Sequence, residues 1–208
     1  MGLDIYGFLA KNVRETKDGE LKTIDEYCEI LDRRAAEKFH RFAQKTLKAL
    51  AKAADDGTAY AEAYSKFIAG MKRFTRYEFT YSRMKDEAKP LDEVRKFMED
   101  FEKRCYHESD VYFRKVNFVY GYLQDKLEDE QCFVDREDVE GLISRCDSVL
   151  ADSALAETLL PTTPGFFFGS LDYDKWYFHD VRDCRRQMKR LLKRYNEDTD
   201  VMYFVMSW

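Results

Sequence analysis

The sequence predicts an α+β fold, predominantly helical, with a small antiparallel sheet built from its two ends. Residues 3–13 and 201–205 are rich in Leu, Ile, Val, Tyr and Phe in strand-like order, whereas most of the chain between them repeats apolar residues at helical spacing. Only three prolines and nine glycines interrupt 208 residues, which points to long helices and few turns. Strands gathered at the ends, rather than alternating with helices, mark α+β.

The opening strand gives way to a turn at Lys17-Asp18-Gly19. A helix then starts at Thr23, where Glu26 three residues on completes a capping box. Its apolar stripe runs through Ile24, Tyr27, Leu31, Phe39, Phe42, Leu47 and Leu50, and Asp55-Asp56-Gly57 ends it. A second helix is expected from Ala59 to Asp86, with Tyr60, Tyr64, Phe67, Met71, Phe74 and Tyr81 on its buried face. Lys89-Pro90 breaks the chain, and Pro90 suits the first turn of a third helix carrying Val94, Met98 and Phe101. After a seam at His107–Asp110, residues Val111 to Lys126 read as a helix that is apolar on more than one face and central to the fold.

Glu128 to Cys132 reads as an acidic connector. Asp135 is placed to cap a helix through Val139, Leu142, Cys146 and Leu150. Ala154 to Leu160 forms a short helical turn stopped by Pro161. The last helix, Asp172 to Tyr195, has an acidic start and a basic end, which complements its dipole. The final strand pairs with the first, and Phe166 to Phe168 is a candidate neighbour in that sheet. The whole of 1–208 reads as a single domain, with 23–86 as an inserted helical hairpin.

Composition narrows function. At 45% hydrophobic and 15% aromatic the chain has ample material for a core. A net charge of −5 argues against coating nucleic acid, because phosphate binding needs concentrated positive charge. No apolar run approaches the roughly 20 residues that cross a bilayer. The opening MGLDIYGFLAKN lacks the pattern of a secretory signal, and Tyr6 stands where a myristoylation motif wants Ser or Thr. A cytoplasmic location is expected. The five cysteines are scattered and never in a CxxC pair, so free thiols are expected and a zinc site is disfavoured.

The stretch LLPTTPGFFFGSLDYDKWYFHD, Leu159 to Asp180, is the least generic part of the chain. Together with MGLDIY at the start, Tyr112-Phe113-Arg114-Lys115-Val116-Asn117 in the middle and the closing Ser-Trp, it resembles a family of uncharacterised bacterial, phage and prophage proteins. The resemblance covers the first dozen residues and most of 110–208, and leaves 23 to about 105 unmatched. It implies kinship and a phage or prophage setting, hence the host cytoplasm, and no particular reaction. Leu171 departs from the Thr such proteins often carry.

Two readings compete at GFFFGS. The glycines would let backbone N–H groups approach an anion at the start of the last helix, although Asp172 and Asp174 oppose a phosphate there. Alternatively the phenylalanines are a buried edge strand, since apolar runs are usually core. Asp172, Asp174, His179 and Asp180, with Asp4, could ligate a divalent metal, or could cap and solvate a helix start. Arg114 and Asn117, three apart on a helix, would share a face, and Arg114 would pair with Asp172 or Asp174. Cys184 beside Arg185 and Arg186 is a candidate low-pKa thiol, with a core role as the alternative. No hydrolase signature surrounds His40, His107 or His179. The basic end of the last helix could meet RNA or DNA, or could be a solvated face that completes the helix dipole, and the stripe alone does not decide for nucleic acid.

The reading is a non-enzymatic interaction protein with a ligand site formed by Asp4, Tyr6, Arg114, Asn117, Phe167, Asp172, Tyr173, Asp174 and Trp176. Its partner would be a host protein or a small molecule such as a nucleotide, and the hairpin 23–86 would serve as a homodimer or host-protein surface. No catalytic residue, metal or cofactor is nominated, nucleic acid is disfavoured, and no membrane is involved. The alternative is a metal-assisted phosphoesterase using the Asp/His cluster.

Overall fold

The computed structural model describes residues 2–15, 19–75 and 80–208. Among them the chain runs β1 (Asp4–Ala10), α1 (Ile24–Lys52), α2 (Gly57–Met71), α3 (Leu91–Glu102), β2 (Val111–Arg114), α4 (Asn117–Leu123), β3 (Gln131–Val134), α5 (Arg136–Ala151), α6 (Ala156–Leu159), α7 (Lys175–Arg194) and β4 (Val201–Ser207). The fold is α+β and predominantly helical, with one four-stranded antiparallel sheet. Lys17 and Asp18 of the expected turn lie outside the described residues. No helix among those described is long and apolar enough to cross a membrane.

The chain divides into two compact units, Met1–Tyr27 with Ser109–Trp208, and Cys28–Glu108. The second unit begins within α1 and continues through α3, beyond residue 86 where the sequence reading closes the hairpin. Helices α1 and α2 start as the sequence dictates. The Thr23 and Glu26 backbone N–H groups each bond the other's side chain, at 2.8 and 3.3 Å, and Asp56 caps α2 through Thr58 and Ala59. Inside this unit Phe39, Phe67, Met71, Tyr81, Met84, Val94, Phe97 and Met98 form a separate core. Gly70 is required there, because a Cβ would meet the Phe42 ring at 2.4 Å.

The first unit is organised by its sheet, ordered β2-β1-β4-β3. The terminal strands pair in the centre, from Asp4↔Ser207 to Ala10↔Val201. Because side chains alternate across a strand, Ile5, Leu9, Phe113, Phe204, Met202, Met206, Cys132 and Val134 share one face. They join Val139, Leu142 and Cys146 of α5 and Val181, Cys184 and Met188 of α7 in one core. Gly7 makes room for this packing, since a Cβ would stand 2.7 Å from the Phe204 ring. The opposite face carries Tyr6, Phe8, Tyr112, Phe133 and Tyr203. Tyr203 is sealed there by stacking on Phe8 and Tyr27.

Four expectations are corrected. The second helix stops at Met71 rather than Asp86: Phe74, Thr75, Thr80 and Tyr81 are aromatic or β-branched and propagate a helix poorly. Tyr81 and Met84 reach the core from a short 3-10 turn instead. Val111 to Lys126 is not one helix. Val111–Arg114 pairs with β1 as an edge strand, Lys115 takes a positive φ of 58°, and α4 begins at Asn117, so Arg114 and Asn117 share no helix face. The acidic connector runs into β3 at Gln131, and that strand pairs with β4. Phe166 to Phe168 forms a turn, and the sheet's outer strands are β2 and β3.

Candidate functional site

The GFFFGS segment is a tight turn with one phenylalanine inside and two outside. The Phe168 N–H donates to the Gly165 carbonyl at 3.2 Å, which puts Phe166 and Phe167 at the corner. Phe167 takes φ 70°, a left-handed conformation that turns ordinarily give to glycine. Phe168 folds back into the core at 5% exposure, edge-on to Tyr120 and Trp208. Its ring lies so close over Gly165 that a Cβ there would come within 2.5 Å. Phe166 is 81% exposed and Phe167 44%, with ring centroids 4.1 Å apart.

Two neighbours, Asn117 and Leu3, hold this turn from behind. The side-chain amide of buried Asn117 donates to the Ser170 carbonyl at 3.0 Å and, more loosely, to that of Phe168 at 3.4 Å. The Leu3 N–H donates to the Phe167 carbonyl at 3.3 Å, while the Leu3 carbonyl accepts from the Lys115 N–H at 2.7 Å. Leu3 thus ties together Lys115 and Phe167, both left-handed. Gly169, at φ 102°, lets the chain pass Lys115, whose carbonyl oxygen would be 3.1 Å from an added Cβ. A buried donor on two carbonyls and a backbone hydrogen bond from Leu3 fix the corner more tightly than an ordinary surface loop.

Beside the turn, the starts of β1 and the end of β2 assemble a polar, aromatic corner. Asp4 and Arg114 are register partners, and the Tyr112 hydroxyl donates to Asp4 at 2.6 Å. Tyr6 lies against Tyr112, with centroids 5.3 Å apart. Burial and the Asp4 carboxylate push the Tyr112 phenol up to about 12. Asp4, Tyr6, Arg114, Asn117 and Phe167 therefore belong to one neighbourhood, linked through Leu3 and the β1–β2 pairing. Among the described residues no ion pair joins Arg114 to Asp172 or Asp174.

The remaining candidates do other work. Asp172 accepts from the Ser170 hydroxyl, and Asp174 caps α7 through the N–H groups of Trp176 and Tyr177. Tyr173 packs on Tyr177 and its hydroxyl accepts from the Thr162 N–H. Trp176 is 63% exposed on the first turn of α7, with the Lys175 ammonium over its ring. His179 contacts Asp180, whose carboxyl is held above its ordinary value by burial. No group of three or more His, Cys, Asp or Glu side chains among the described residues could hold a metal ion. Cys184 is fully buried in the core beside Cys146, and desolvation drives its thiol up rather than down.

Sequence reasoning missed Phe166, Leu3, Tyr112 and Lys115 in this neighbourhood. Tyr112 had a usable signal: read as a strand, it falls on the same face as Arg114. The chain showed no significant match to protein-family models, to curated proteins or to solved structures.

Proposed function

We propose that this is a non-enzymatic interaction protein that grips a protein partner with Phe166 and Phe167. The observation that carries the reading is the pairing of two exposed phenylalanines with a backbone locked by Asn117 and Leu3. Exposed aromatics lose little free energy of ordering on binding when the backbone that bears them is already fixed, and buried aromatic anchors dominate protein interfaces. A protein surface suits them better than a small molecule, because the rings stand outward rather than lining an enclosure. Asp4, Tyr6, Tyr112 and Arg114 would supply a polar rim. The resemblance to bacterial and phage proteins favours a host protein as that partner.

The test is affinity capture from the host's own lysate with the wild-type chain and a Phe166→Asp/Phe167→Asp double variant, both checked for intact fold by circular dichroism. The reading expects a partner retained by the wild type and by a Trp176→Ala control but lost from the double variant. Identical captured sets would overturn it. No observation favours the metal-assisted phosphoesterase: Asp172 and Asp174 are committed to turn and cap hydrogen bonds.

A further inference from the structure

Helix α7 carries eight lysines and arginines against two aspartates, in a chain whose net charge is −5. Its apolar residues Tyr177, Val181, Cys184, Met188 and Leu191 are buried in the core, which turns the cations outward. Arg182, Arg185, Arg186, Lys189, Arg190 and Lys193 border a single surface depression. At helical spacing they fall within about 140° of the circumference and along about 16 Å of the axis. The helix dipole explains cations in the last turn, Lys193 and Arg194, and its effect fades beyond it. It leaves Arg182 to Arg190 unexplained.

Neighbouring carboxylates offset only part of this charge. Asp147 of α5 serves both Arg185 and Lys189, at 2.5 and 3.1 Å, and Arg186 pairs with Asp183. Among the described residues Arg182, Arg190 and Lys193 pair with no carboxylate. Exposed ion pairs of this kind contribute little to stability, so a phosphate can displace them readily.

We propose that the exposed face of α7 binds the phosphate backbone of a nucleic acid without reading its base sequence. Four of the six cations are arginines, whose forked donors match phosphate oxygens. A membrane surface fits less well, because an interfacial helix buries its apolar face in lipid and that face of α7 is already spent in the core. The acidic net charge does not oppose the assignment, because the positive charge is concentrated on one helix face.

Fluorescence anisotropy with labelled DNA and RNA oligonucleotides tests this, comparing wild type, Arg182→Glu/Arg190→Glu/Lys193→Glu on the stripe, and Lys45→Glu/Lys48→Glu/Lys52→Glu on α1. Both triples change net charge equally at exposed helix positions. With three phosphates engaged, wild-type affinity for duplex should fall about 40-fold between about 50 and 200 mM salt. The stripe triple should lose at least about tenfold at low salt, and the α1 triple should bind within about twofold of wild type. Three results would overturn the proposal: no binding at low salt, equal loss in both triples, or displacement by polyglutamate as readily as by unlabelled oligonucleotide.

Discussion

The side-chain amide of Asn117, 3% exposed, donates to the backbone carbonyl of Ser170 at 3.0 Å across 53 residues of chain. That bond converts a surface turn into a fixed platform. Asn117→Ala strips the donor from two buried or half-buried carbonyls and should cost about 1–3 kcal/mol. Asn117→Asp places an acceptor against acceptors and should cost at least as much. Urea denaturation of the two variants checks this; a cost near zero for both would mean that the turn needs no support from α4.

The three consecutive phenylalanines should respond very differently to truncation. Phe168→Ala empties a core position packed on Tyr120 and Trp208 and should cost about 3–5 kcal/mol. Phe166→Ala should stay within about 0.5 kcal/mol of wild type, as exposed substitutions do. Phe167→Gly relieves a left-handed phenylalanine, which offsets the added freedom of the unfolded chain, so its stability should change by no more than about 1 kcal/mol. Equal costs at 166 and 168 would contradict the inside–outside division of the turn.

Asp174 separates capping from metal chemistry. Its side chain accepts from Trp176 and Tyr177 at 2.8 and 3.0 Å, a task that Asn performs as well as Asp. Asp174→Asn should leave the melting temperature within experimental scatter, while Asp174→Ala should cost about 1 kcal/mol. If Asn proved as damaging as Ala, the negative charge itself would be what the site needs.

These features were unevenly legible in the sequence. The terminal strands were readable because strand composition at both ends had no other partner to satisfy it. The caps at Thr23 and Asp135 were readable because capping is a local contest among a few side chains. β2 was hidden: Val111 to Leu123 is apolar on more than one face, and nothing local announces that Lys115 bends left-handed between strand and helix. β3 was hidden by its acidic approach, since its strand character comes from pairing with β4. The GFFFGS turn misled most, because an apolar run is ordinarily core, whereas here one ring of three goes inside. Asn117 was picked out, but its role as a strap became visible only with Ser170 and Phe168 in place.

Acid should reveal Asp180. Burial raises its folded-state carboxyl above the unfolded value, so the folded state holds more protons between the two and stability falls as pH rises through that window. Asp180→Asn should therefore be more stable than wild type at neutral pH. The difference should close as pH drops below the unfolded aspartate value of about 3.9. Thermal melts of both proteins across pH 3–7 measure it, and a gap that widened in acid would reverse the assigned sign.

The central claim, that Phe166 and Phe167 form the contact surface, is tested most directly by photo-crosslinking in the host cell. The photoreactive residue p-benzoylphenylalanine would replace Phe167 in one strain and Leu155, another exposed apolar position, in a second. The account predicts a discrete adduct with one other protein from position 167 and none from 155. No adduct at 167, or the same adducts from both positions, would contradict it.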